Sequence, residues 1–250
     1  MQVLAITSQK GGTGKTTLAG HVAVEAERRG AGPVALIDTD PQGSLSSWWN
    51  AREAETPVFV QTLVERLPDD LERLRQQGTK LVVIDTPPAI TSTIVEVVRV
   101  SDLVVIPIRP SPHDLRAAGT TVDLVESLNK PLVFVINCAS ARARITTEAA
   151  IALSQHGTVA SSVIHQRTNF ATSMIDGRTV MEIPKAERSA AEIVALWDYL
   201  GSRLMRVQGA VAGEHEVHEA ALASAEPTAE TGPAMALEPR EPERAVQWTN

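Results

Sequence analysis

"VLAITSQKGGTGKTTLAG" (residues 3–20) decides the fold. A β-branched apolar run, VLAITS (3–8), feeds a glycine-rich turn, and a helical pattern begins at Lys15. A strand, a glycine loop and a helix N-terminus in succession make an anion cradle. Backbone N–H groups and the positive end of the helix dipole converge there. Gly11, Gly12 and Gly14 open backbone conformations closed to other residues and let the loop, with Thr13, approach oxygen atoms closely. At this spacing Lys15 reaches the β and γ phosphates of a nucleoside triphosphate, and the hydroxyl of Thr16 ligates Mg2+. Thr17 follows on the first helical turn. One feature departs from the usual phosphate loop: Gln9 stands where a glycine is expected, and a second lysine, Lys10, opens the turn.

Working outward, four further apolar runs read as buried strands: VALID (34–38), LVVID (81–85), LVVIPI (103–108) and LVFVIN (132–137). Each is apolar on both faces, as strands of a parallel sheet covered by helices must be. VFV (58–60) and VASSVI (159–164) are weaker strands. Helical patterns fill the intervals at 15–29, 44–53, 71–77, 91–100, 112–128, 146–155 and 186–205. This alternation predicts an α/β fold, a doubly wound, mainly parallel sheet of seven or eight strands flanked by helices.

The strand ends carry carboxylates. LIDTDPQGS puts Asp38 and Asp40 at the tip of the second strand, two residues apart and so expected on one face. VVIDTPP puts Asp85 at the tip of another. Three strand-end carboxylates beside a triphosphate suit Mg2+ binding and the positioning of water. Helix capping is open for one of them as well. After Asp85, Thr86, Pro87 and Pro88 form a stiff turn that could report the γ phosphate, although such turns also occur without a switching role.

KGGTGKTT and Asp-x-Asp-Pro-Gln together resemble the deviant phosphate loop and its partner motif in the ParA/MinD family of ATPases. IPIRPSPHDLRAAG (106–119) is similar to the proline-rich stretch of the small ParF-like partition ATPases within it. The resemblance covers residues 1–206. It implies an ATP/ADP-binding, Mg2+-dependent ATP hydrolase of low, adaptor-stimulated rate. It also implies that Lys10 crosses a homodimer interface onto the partner's nucleotide while Lys15 acts within its own subunit. Asp40 would orient the attacking water, Asp38 would support the metal shell, and Asp85 would be the metal-side aspartate. Asn137, at the end of a strand, would hydrogen-bond adenine, with Pro184 near the purine.

By the same resemblance, the ATP-bound dimer binds DNA without sequence preference, and a small ParB-like or cargo adaptor triggers hydrolysis. Arg142, Arg144, Arg167, Arg178, Lys185 and Arg188, with Arg203 and Arg206 beyond them, are the candidate DNA-binding cations. Such binding needs little more than several cations on one face. The cargo expected first is a plasmid or chromosome. Carboxysomes or chemoreceptor clusters are the alternative, and a membrane-dependent MinD-like regulator the more distant one. The last needs a basic amphipathic C-terminal helix. Nitrogenase-type chemistry would need paired cluster cysteines, and the chain has one cysteine, Cys138. Amidoligase-type chemistry has no matching substrate signature.

Composition bounds these readings. The net charge is −7, but residues 208–250 carry eight glutamates and two arginines, so the body is nearly neutral. That segment, rich in Ala, Glu and Pro, reads as a disordered acidic tail over 207–250, or as a partner-binding segment anchored by Trp248. One cysteine excludes an intrachain disulfide framework. The N-terminus lacks the regions of a secretory signal. No apolar stretch approaches the roughly 20 residues that span a bilayer. A cytoplasmic, nucleoid-associated protein without stable membrane association is expected.

Overall fold

The computed structural model describes residues 1–89 and 92–224, with side chains through Gly209. Seven strands form one parallel sheet: β1 Gln2–Ile6, β2 Val34–Asp38, β3 Val58–Val60, β4 Leu81–Asp85, β5 Leu103–Ile108, β6 Leu132–Ile136 and β7 Thr158–Val159, in the order β3-β2-β4-β1-β5-β6-β7. The α/β expectation is met. Alternation along each strand sorts the core into two layers. Leu4 and Ile6 of β1, Leu36 of β2 and Val83 of β4 face one side. Val3, Ala5, Ile37 and Ile84 face the other.

The first layer packs against α1 (Lys15–Arg28), α2 (Ser44–Asn50), α7 (Thr168–Ser173) and α8 (Glu187–Ser224). The opposite face is covered by α3 (Leu67–Gln76), α4 (Ser92–Val100), α5 (Pro112–Ser127) and α6 (Arg144–Ser154). α1 is buried from Leu18 through Ala26. A Cβ at its Gly20 would stand 3.3 Å from the Trp48 ring, so the indole would have to give by a few tenths of an ångström.

Because every strand is parallel, all the β-to-α loops emerge at one edge. From β1 the chain crosses toward β2 on one side, and from β5 toward β6 on the other. Their loops therefore diverge and leave a crevice outside the carboxyl ends of β1 and β5. Open α/β sheets bind their ligands at such a point.

Two sequence expectations are corrected. The weak strand at 159–164 shrinks to a two-residue β7, after which Ala139 and His165 make only an isolated bridge. The folded part was expected to end at 206, with a disordered tail from 207, but helical backbone continues through Ser224. Residues 207–224 contain no proline and are rich in alanine, the strongest helix former; the first proline beyond is Pro227. The main unit is Met1–Ala210. Trp248 and the rest of 225–250 lie outside the described residues, as do Ile90 and Thr91 of the turn after β4. No helix among the described residues is long and apolar enough to cross a membrane.

Candidate nucleotide site

The phosphate loop leaves β1 at Thr7 and enters α1 at Lys15. Gly12 and Gly14 have φ of 72° and 85°, which only glycine adopts without strain. Two side chains from neighbouring strands grip the loop from outside. The amide of Asn137, just past β6, donates to the Thr13 carbonyl at 2.6 Å, and the Arg109 guanidinium, just past β5, donates to the Gly12 carbonyl. A Cβ at Gly14 would collide with Asn137.

Lys15 is buried, and its ammonium reaches the Lys10 carbonyl at 3.5 Å. Burial pulls its pKa below the usual lysine value, partly offset by Asp85 and Asp40. Thr16 donates its hydroxyl to Asp85 at 2.6 Å. Asp85 is fully buried, and desolvation pushes its carboxyl up to about 7 against the lowering bond from Thr16. Its other oxygen accepts from the Thr86 backbone N–H at 3.0 Å, while the Thr86 hydroxyl donates to the Ile6 carbonyl. Pro87 is buried and Pro88 lies against Gly11.

Register places Asp38 beside Asp85 on adjacent strands. β2 ends at Asp38, so Asp40 lies beyond the strand, and the shared-face reading of the pair is corrected. The two are joined differently. Asp38 accepts from the backbone N–H groups of Asp40 and Ser46, each at 3.0 Å, which ties the Asp40 turn to the start of α2. None of the three aspartates is the N-cap residue of α2, which is Gly43, but Asp38 accepts from the first turn of that helix. Burial raises its pKa, although those backbone donors work the other way. The Asp40 carboxylate accepts from the Gln42 N–H at 3.0 Å, and the residue stays partly exposed.

Lys10 stands at the other end of the loop, half-exposed, with its ammonium 3.0 Å from Asp114 near the start of α5. Beside the loop, a cavity of about 230 Å3 is lined by residues that include Gly14, Thr17, Asn137, Cys138, Ile164 and Phe170. His165 and Arg167 close its wall, both held by Glu192 of α8, at 2.8 Å and 2.6 Å. Pro184 is exposed and does not line this cavity.

The six DNA candidates are not gathered into one free patch. Arg144 pairs with Glu148, Arg167 with Glu192 and Arg178 with Asp176. Arg142 and Lys185 occupy left-handed loop positions, exposed, and Arg188 is exposed on α8. Sequence reading missed Asp114, Arg109 and Glu192. Only Asp114 had a local signal, the Ser111-x-x-Asp114 spacing of a capped helix start.

The donor set fits a hard cation. Thr16 and Asp85 offer oxygen ligands, and Asp85 is a buried carboxylate without a countercharge in direct contact. Among the described residues no three His, Cys, Asp or Glu side chains form a cage. A metal here would therefore depend on a nucleotide's own oxygens.

Residues 4–180 match the family model for the CobQ/CobB/MinD/ParA nucleotide-binding domain. The chain belongs to the ParA/MinD family. Within it, the chain is 30% identical over 198 residues to the maintenance of carboxysome distribution protein A of Halothiobacillus neapolitanus, covering 76% of this chain and 91% of that protein. Protein ParA of Rhizobium radiobacter is 27% identical over 194 residues, 76% of this chain and 80% of that one. Among solved structures, an ATP complex of McdA from Cyanothece superposes with a TM-score of 0.64 at 16% identity, over 80% of this chain and 96% of that one. The ParA/MinD fold is thus shared across relatives that differ in name.

Proposed function

We propose that this chain is a nucleotide-gated ATPase switch that positions a large cargo. ATP with Mg2+ occupies the phosphate loop, two subunits close face to face over the paired nucleotides, and the dimer holds DNA without sequence preference. A small adaptor on the cargo stimulates slow hydrolysis, which releases the dimer from DNA. The observation that supports this most directly is Lys15 buried under the glycine loop with Thr16 held by Asp85.

That geometry supports the following roles. Lys15 neutralises the terminal phosphates, and the desolvation of its ammonium strengthens that attraction. Asp85 fixes the Thr16 hydroxyl in place. Bound Mg2+ would supply charge neutralisation at the phosphate oxygens. Asp40, partly exposed and anchored through Asp38, positions a water at the edge of the site. Asn137 orders the loop and flanks the cavity that would take the base. A second lysine with aspartates that activate water only weakly suits a timer rather than a fast catalyst.

The cargo expected from the sequence was a plasmid or chromosome. A protein cargo of the carboxysome kind is the second reading, favoured by the 30% identity to the Halothiobacillus protein. The test is retention on DNA-coated surfaces with ATP, with ADP and without nucleotide, across a salt series. Retention only with ATP, falling steeply with salt, is expected. Salt-insensitive retention, or none with ATP, would remove the DNA step.

A further inference from the structure

We propose that Asp114 is a positioning residue that holds Lys10 within its own subunit and thereby sets the threshold for ATP-dependent assembly. The inference rests on the dimer reading above and deepens it.

Lys10 is not a free cation. Its ammonium lies 3.0 Å from Asp114 Oδ2, and the Asp114 side chain is only 6% exposed. The same oxygen accepts from the Ser111 hydroxyl, which also accepts from the Asp114 backbone N–H at 3.2 Å as the cap of α5. Asp114 therefore sits rigidly in the first turn of a helix, where a negative charge is favoured. Its second oxygen, Oδ1, is buried with no hydrogen-bond partner among the described residues. Burial disfavours its charge, but Ser111 and Lys10 more than compensate, and its pKa falls below the usual aspartate value.

If Lys10 swings toward a facing subunit, this buried carboxylate loses its cation. Removing one partner of a buried pair is costly because the remaining charge is left uncompensated. Lys10 must therefore gain more in trans than it gives up in cis. A triphosphate end carries enough charge to make that exchange favourable; a diphosphate offers less. The carboxylate thereby turns a simple contact into a discrimination between nucleotides. Both subunits must open, so a pair closed in about nine of ten molecules would weaken the dimer about a hundredfold.

Asp114→Asn keeps shape and cap while removing the charge. Two measurements on the full chain decide the matter. In the nucleotide-free protein, acylation of Lys10 by an amine reagent, read by mass spectrometry, should speed several-fold in the variant. By sedimentation with ATP, the variant should dimerise about ten- to hundredfold more tightly. With Lys10→Ala added, that gain should vanish. Faster labelling with unchanged dimer affinity would mean that the ion pair exists and does not govern assembly, which overturns the proposal. So would a gain that survives Lys10→Ala. Wild type and variant both monomeric with ATP, while labelling still responds, would sink the dimer reading itself and this proposal with it. A melting temperature matched to wild type confirms that the variant folds; should it fail to, Ser111→Ala, which removes one donor to the same oxygen, is read by the same two measurements.

Discussion

At the scale of single residues, the site is built around charges that burial makes expensive. Asp85 is raised to about 7 from an ordinary 3.8, and His21, fully buried on α1, is lowered to about 4 from 6.5 by desolvation. Their effects on stability have opposite signs. Asp85 contributes stability below its unfolded value that is lost as pH rises toward 7. The His21 contribution is present above pH 6.5 and is lost as pH falls toward 4. Over the shared window the two largely offset each other. Asp85→Asn should therefore stabilise the nucleotide-free protein at pH 8 by about 4 kcal/mol, seen as a higher melting point, with the gain gone near pH 4. It should also expose the acid loss due to His21, so that the variant melts progressively lower between pH 6.5 and 4 where the parent is nearly flat. Hydrolysis should disappear in the same variant. A pH series of thermal melts, with and without Mg-ATP, checks all three.

At the scale of elements, α2 ties the Asp40 turn to a distant segment. Trp48 Nε1 donates to the Arg178 carbonyl at 3.1 Å, and Arg52 donates to the Gly177 carbonyl. Arg52 also makes a bidentate pair with Glu182, at 2.9 and 2.6 Å, with the arginine side chain only 4% exposed. Gly177 has to be glycine, since its φ is 75° and a Cβ would strike the Arg52 backbone. Arg52→Ala leaves Glu182 without its cation and should cost about 3 kcal/mol of stability. Because α2 follows Asp40 directly, turnover should fall as well, with ATP affinity by calorimetry little changed. Six of the seven strands were legible in the sequence to within two residues, five of them because each is an apolar run buried on both faces. α7 was not, since it is six residues long with only Phe170 and Ser173 buried, too short for a period to show. The phosphate loop was legible because its parts lie within ten residues of one another. The Lys10–Asp114 pair was not, because 104 residues separate its members and only the sheet order brings them together.

At the scale of the molecule, charge is distributed unevenly, and the proposed DNA contact depends on assembly. The folded unit is nearly neutral, and three of its six candidate cations are spent on carboxylates. A single subunit therefore has little to offer a phosphate backbone. Two subunits side by side double the unspent cations Arg142, Lys185 and Arg188. The slope of log affinity against log salt should then report several phosphates neutralised per dimer, about 0.9 for each. Replacing both Arg142 and Lys185 by alanine should lessen that slope while leaving ATP turnover without DNA unaltered. An unchanged slope would place the contact elsewhere.

The grip of Asn137 and Arg109 on the carbonyls of Thr13 and Gly12 has a kinetic consequence. With two strands already holding the loop in its curved form, an arriving nucleotide meets a ready mould and has no chain to organise. Capture should then run near the speed of encounter for ATP and ADP alike, and the lifetime of each complex should be set by how fast the ligand leaves.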